Sequence, residues 1–184
     1  GWPLRTDLDV HWDRPGHRHG TGKGLIMADG KSTFAWDDPL LLDDQLTEEE
    51  RMVRDMARRF GEDRLMPVIL EWNRHEDFDR DLMKEFGELG FLGGVLEGYG
   101  CPGLGHVAYG LLCRELERID TAFRSAVGVQ SGLAMGAIHG YGSEEQKQRF
   151  LPKMATGEHI GCFGLTEPDH GSDPSGMKAR AKKD

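Results

Sequence analysis

The chain has 184 residues, 38% hydrophobic and 30% charged, enough to bury the core of one domain and part of another. A net charge of −9 argues against non-specific nucleic-acid binding and against an anionic membrane surface. The 3 cysteines, Cys101, Cys113 and Cys162, lack a CxxC spacing; they point to neither a disulfide framework nor a zinc site, but to a reducing compartment, the cytoplasm.

Residues 1–33 are polar, rich in Gly, His and Arg, and show neither helical nor strand periodicity. They contain no apolar run of the secretory type, and Asp7, Asp9 and Asp13 do not suit an organelle transit peptide. His17 and His19 lack a third ligand for a metal. Met27 opens a more ordinary leader, so 1–26 reads as an extension and 1–33 as a polar tail.

The domain is expected to begin at Phe34, with a short aromatic and apolar segment through Leu42 that packs down its start. Thr47 and Glu50 then form a capping box, Thr47 at N-cap and Glu50 at N3. The helix that follows places Met52, Val53, Met56, Ala57, Phe60 and Leu65 on one stripe, and Pro67 kinks or ends it. A second helix from Asp79 carries Leu82, Met83, Phe86 and Leu89 inward and stops at Gly90. After a glycine-rich loop at 98–103, a third helix runs from His106 to Ile119, burying Val107, Leu111, Leu112 and Leu116.

Asp120 or Thr121 caps a fourth helix that carries no charged residue from Ser125 to Ser143, so it is expected to be buried on most sides. Gln130, Ser131, His139 and Tyr141 interrupt it, and it falls short of the ~20 apolar residues of a membrane span. Gly128, Gly132, Gly136 and Gly140 recur at every fourth position, at roughly 1 kcal/mol each against alanine. Close helix–helix approach is the commoner reason for such a ladder; space left for a ligand is the other. Ser143 and Gln146 open a further capped helix that ends near Pro152.

Beyond Gly157 the pattern changes. His159–Leu165 reads as a strand, followed by Thr166-Glu-Pro-Asp-His-Gly-Ser172-Asp, a turn-rich loop. Such a loop offers hydroxyls and unpaired backbone N–H groups to a polar ligand; a plain surface loop after an edge strand is the alternative.

Helices, then Gly161-Cys-Phe-Gly-Leu-Thr-Glu-Pro168, then Gly171-Ser-Asp173, resemble the flavin-dependent acyl-CoA dehydrogenases. The similarity runs back through Tyr141–Gln146 and Leu151–Gly157 to about Phe34. It implies a mainly α fold: the N-terminal helical-bundle domain at 34–157, then the first strand or strands of a middle β-barrel-like domain at 158–184, truncated. It also implies FAD as cofactor, contacted by Phe163, Leu165, Thr166, Gly171 and Ser172, with Ser172 close to the acyl-CoA as well. His170 fills a variable position of the motif and reads as loop filler.

Within the family, Glu115–Ser131 together with Gly98-Tyr-Gly-Cys101 is most similar to members that act on glutaryl-CoA. Most relatives carry an uncharged residue where Arg124 stands. An arginine there, with Ser125 beside it, suits a substrate that ends in a carboxylate, and Glu117 is placed to steady it. Taken alone, Arg124 reads as a surface ion pair with Glu117 or Asp120.

The substrate-binding set is thus Arg124, Ser125, Ser172 and Glu117. The resemblance implies FAD-dependent dehydrogenation and decarboxylation of glutaryl-CoA to crotonyl-CoA, electron transfer to an electron-transfer flavoprotein, and a homotetramer when full length. The catalytic base is a glutamate expected beyond Asp184, so the chain alone is expected to be inactive. Other readings are a non-decarboxylating enzyme, a dehydrogenase of another short or carboxylated acyl-CoA, and a helical module that binds acyl-CoA or a partner without chemistry.

Overall fold

The structure is a computed structural model and describes Trp36 and residues 38–182. The polar tail at 1–33, with Met27 and the His17/His19 pair, lies outside the described residues. Contacts divide the chain into two units, Gly1–Leu46 and Thr47–Asp184. In the first, Asp38 accepts hydrogen bonds from the N–H groups of Leu42 (2.8 Å) and Asp43 (2.9 Å) and so starts a single helical turn, α1 (Leu42–Gln45).

The second unit is helical, and its starts follow side-chain capping. Thr47 accepts from Glu50 N at 3.3 Å while Glu50 accepts from Thr47 N at 2.7 Å, opening α2 (Glu48–Phe60). A π-turn over Gly61–Leu65 continues it; Pro67 lacks an N–H, and the helix restarts as α3 (Ile69–His75). Next come α4 (Leu82–Glu88), ended by Gly90 at φ 70°, and α5 (His106–Glu117). Then α6 (Thr121–Gly128), a π-turn at Val129–Met135 and α7 (Gly136–Tyr141) follow one another without a break. Ser143 and Gln146 exchange bonds of 2.8 and 3.3 Å to cap α8 (Glu144–Ala155).

The main core lies where α2, α4, α5 and α6 meet. Phe60, Phe86 and Phe91 pack with ring centroids 5.8 to 6.0 Å apart, and Leu82, Leu92, Leu112, Leu116, Phe123 and Val127 surround them. A second cluster of Ala134, Met135, Leu151, Met154 and Ala155 joins the end of the α6–α7 helix to α8. Two expectations fail at the edges of these cores. Met52 and Val107 are exposed, because each stripe is wider than the face that finds a partner.

Glu115 is a polar member of the interior. Its side chain is 1% exposed, and its oxygens accept from Arg58 Nε (3.0 Å), Arg58 Nη2 (3.2 Å) and Arg114 Nη2 (2.9 Å). Burial pushes this carboxyl up, but the bonds and charges of Arg58 and Arg114 outweigh burial and hold it below the usual carboxylate range. Its folded pKa is therefore below the unfolded one. The stabilisation is complete above about pH 4.3 and is lost as pH falls through the depressed folded value. Glu115→Gln should cost about 2 kcal/mol at pH 7 and flatten the acid limb of a stability-against-pH curve; an acid limb identical to wild type would contradict this role.

The segment after α8 is irregular, and the described residues contain no strand. The expected strand at His159–Leu165 does not form: His159 lies in a bend and the residues to Leu165 carry no regular structure, since a ladder needs a neighbour that the described residues do not provide.

Candidate functional site

The charged half of the site stands where α5 passes into α6. Asp120 accepts from Ala122 N at 2.8 Å and caps α6, so the chain turns within three residues of Glu117. That turn brings Arg124 Nε to 2.6 Å from Glu117 Oε2, while Thr121 Oγ1 donates to Glu117 Oε1 at 2.9 Å. The Arg124 and Glu117 side chains are 40% and 43% exposed, so the pair is open to a ligand. Arg124 holds the Glu117 carboxyl below its usual range, with Thr121 adding to the effect, and Glu117 in turn raises Arg124. Arg124 sits one turn inside α6 rather than at its head. Ser125 is beside it, half-buried, and its hydroxyl has no partner among the described residues.

The glycine ladder settles differently from the commoner expectation. A Cβ at Gly132 or Gly140 would meet nothing within 4 Å, and one at Gly128 would meet only Arg124 Nη1, at 3.9 Å. No helix approaches this face among the described residues, so the ladder leaves open space beside Arg124. The helix is correspondingly less buried than its lack of charge suggests: α7 buries no side chain, and Leu133 and Tyr141 are exposed.

Two residues beside Arg124 escaped the sequence reading. Tyr109 and Cys113, on α5, feel its charge. Burial, with the Cys113 thiol adding to it, pushes the Tyr109 phenol up to about 12, so it is a neutral hydroxyl at any working pH. Gly94 lets its ring lie close, since a Cβ there would be 2.3 Å from Tyr109 Cδ2. Ser131, in the π-turn, faces the phenol and accepts from Gly93 N at 2.9 Å.

The second half of the site is the loop after α8. It is tied by Gln130, also missed, since one amide on an uncharged helix carries no periodic signal. The Gln130 side chain is 1% exposed. Its Nε2 donates to the carbonyls of Met154 (2.9 Å) and His159 (2.7 Å), and its Oε1 accepts from Gly161 N at 2.7 Å. From Cys162 to Thr166 no backbone N–H has a partner among the described residues. Phe163 and Leu165 are 46% and 45% exposed.

Glu167 and His170 then exchange backbone bonds of 2.9 and 3.2 Å, closing a tight turn that carries Gly171 and Ser172 to the surface. Glu167 accepts from Lys178 N (2.8 Å) and Ala179 N (2.7 Å), pinning the returning chain. The His170 ring lies against Gly176, where a Cβ would be 2.3 Å from Cε1, in keeping with a packing role. No hydrogen bond or ion pair joins Arg124 or Ser125 to Ser172 among the described residues.

A cleft of about 590 Å³ lies between α7, α8 and the start of this loop, bordered by Ala134, Ile138, Phe150, Met154 and Phe163. Unpaired N–H groups beside uncovered aromatic and apolar side chains suit a ring system with an apolar face and an acceptor-rich edge. The described residues contain no cluster of three potential metal ligands, and no helix long and apolar enough to cross a membrane.

The chain is thus a helical domain with an Arg124–Glu117 pair at one helix junction and a loop of unpaired N–H groups after α8. Residues 47–158 match the acyl-CoA dehydrogenase N-terminal domain, and the chain belongs to the acyl-CoA dehydrogenase family. It is similar to the crystal structure of a glutaryl-CoA dehydrogenase from Mycobacterium smegmatis in complex with FADH2, at 51% identity and a TM-score of 0.75, over 77% of this chain and 37% of that one. It is also similar to mitochondrial isovaleryl-CoA dehydrogenase of Pongo abelii, 33% identical over 163 residues, which are 87% of this chain and 38% of that protein. The short-chain-specific acyl-CoA dehydrogenase of Clostridium acetobutylicum is 33% identical over 141 residues, 76% of this chain and 37% of that protein. The chain thus spans well under half the length of each of these relatives.

Proposed function

We propose that this chain supplies the carboxylate-recognising wall and part of the flavin site of an FAD-dependent dehydrogenase acting on glutaryl-CoA. The Arg124–Glu117 pair beside the open face of Gly128 and Gly132 carries the reading. An apolar acyl tail has no use for a cation there; a substrate carboxylate does.

In this reading Glu117 holds Arg124 in one orientation before substrate arrives, and the Ser125 hydroxyl adds a donor. Tyr109 is a neutral neighbour that does not compete for the anion. The loop offers its free N–H groups at Phe163, Leu165 and Thr166, with the Thr166 and Ser172 hydroxyls, to the polar edge of the flavin. Phe163 and Leu165 cover its apolar surroundings, and Gly171 admits close approach. FAD held by these groups would supply the hydride acceptor for oxidation at the substrate β-carbon. Breaking the bond to the γ-carboxylate would release CO₂, a proton returned to the γ-carbon would give crotonyl-CoA, and the two electrons of the oxidation would pass to an electron-transfer flavoprotein. The α-proton is taken by a glutamate outside this chain, in a homotetramer. The three free thiols, Cys101, Cys113 and Cys162, suit the cytoplasm.

Arg124→Leu tests the substrate. It should lower kcat/KM for glutaryl-CoA about ten- to a hundredfold, the worth of roughly 1.5–3 kcal/mol for a charge-assisted fork. The same variant should change butyryl-CoA turnover less than about threefold, since an uncharged tail makes no such bond. Equal loss on both substrates would remove the carboxylate-binding role, and preference of the wild type for isovaleryl- or butyryl-CoA would remove the substrate assignment.

A further inference from the structure

Gln130 stands on the same helix as Arg124, six residues along and inside the π-turn, and its side chain leaves that helix to hold the loop. All its hydrogen-bonding groups work on one stretch of chain: both N–H groups on carbonyls at Met154 and His159, its oxygen on Gly161 N–H. Only a carboxamide of this length can donate twice and accept once there. A carboxylate would face two carbonyl oxygens, and a thioether would satisfy none of the three groups. His159 N also donates to Lys153 O at 2.9 Å, but from Ile160 to Thr166 the bond from Gly161 N to Gln130 has no companion among the described residues, and the loop's next anchor is Glu167.

Packing removes the remaining slack. A Cβ on Gly161 would lie 2.5 Å from Ala134 Cβ and 2.8 Å from Met154 Cε, so the backbone is already seated against the helix that carries Gln130. Phe163 follows two residues later. The Gln130 amide and this packing together tie the loop that carries Phe163 to the helix that carries Arg124.

We propose that Gln130 is the positioning residue that fixes the flavin loop in register with the carboxylate-binding helix, so that hydride donor and acceptor are aligned when the Arg124 end of the substrate is held. This rests on the dehydrogenase reading above. A lateral error of about 1 Å between reacting atoms is enough to cost on the order of a hundredfold in rate without weakening substrate binding. Gln130 thus acts through the loop and touches neither substrate nor flavin.

The test uses the flavin-loaded dehydrogenase that contains this chain, with Gln130→Met, which keeps the length and removes the bonds, and Gln130→Asn, which keeps the amide but does not reach. In both, exchange of the Gly161 amide should quicken at least about tenfold. The visible flavin band should shift, and kcat for glutaryl-CoA should fall about ten- to a hundredfold while KM changes less than about threefold. Unchanged Gly161 exchange overturns the proposal. So does faster exchange with an unaltered flavin spectrum and unaltered kcat, which marks a bond that only stabilises. Gln130 variants that keep the wild-type flavin properties in an enzyme that oxidises glutaryl-CoA sink this inference alone. A wild-type protein without flavin sinks the dehydrogenase reading and this inference together.

Discussion

Gly157→Ala should destabilise the helical unit by about 2–4 kcal/mol, through two separate causes. Gly157 follows α8 at φ 74°, a left-handed conformation that costs an L-residue on the order of 1 kcal/mol. A Cβ there would also lie 2.1 Å from Met83 O and 2.4 Å from Met83 C. These are backbone atoms of α4, and no rotamer change can move them aside. The contact is reciprocal, since a Cβ on Gly87 would lie 2.4 Å from Thr156 C. The end of α8 and the side of α4 meet backbone to backbone, and glycine on both sides permits it.

Gly98→Ala is the control. Gly98 has φ 78° but nothing within 4 Å of its Cβ, so it should show only the conformational cost, about 1 kcal/mol. Denaturant midpoints at unchanged m separate the two. Equal losses would mean that α4 and α8 do not approach as described.

Gly161→Ala should have the larger consequence for function. The added methyl would meet Met154 Cε at 2.8 Å, which a flexible thioether can vacate, and Ala134 Cβ at 2.5 Å, which is fixed to its helix. The loop has to move, and the 2.7 Å bond from Gly161 N to Gln130 weakens as it does. Expected are a stability loss of about 1–3 kcal/mol and a fall in flavin-to-protein ratio in the whole enzyme. Gly164→Ala, with no protein atom within 4 Å, should leave stability unchanged. Adding Ala134→Gly to Gly161→Ala should restore part of the flavin. Full flavin retention by Gly161→Ala on its own would show that the loop takes the methyl without shifting.

The sequence carried what is local. Both capping boxes, the break at Pro67 and the stop at Gly90 follow from short-range backbone chemistry and stand where the residues place them. The Arg124–Glu117 pair was readable for the same reason, since seven residues and one capped turn separate them. The periodic stripes told which face turns inward but not how far round it is covered, and Met52 and Val107 remain outside. The strand read at His159–Leu165 did not form among the described residues, because a strand is a property of two segments and no partner stands beside this one.

The glycine ladder is the clearest case of spacing that cannot choose. Close packing and open space require the same missing side chain; among the described residues the neighbouring elements leave space at Gly128, Gly132 and Gly140, while Gly136 faces only Ser131 O of its own helix. Gln130, Glu115 and Tyr109 were invisible for a related reason: their partners lie far along the chain, Arg58 being 57 residues from Glu115 and Gly161 31 from Gln130. The sequence by itself determined the family motif, the capped helix starts and the pairing of Arg124 with Glu117. The tertiary structure alone decided how these pieces face one another, because burial and long-range hydrogen bonds depend on which surfaces meet, and residue order does not encode that locally.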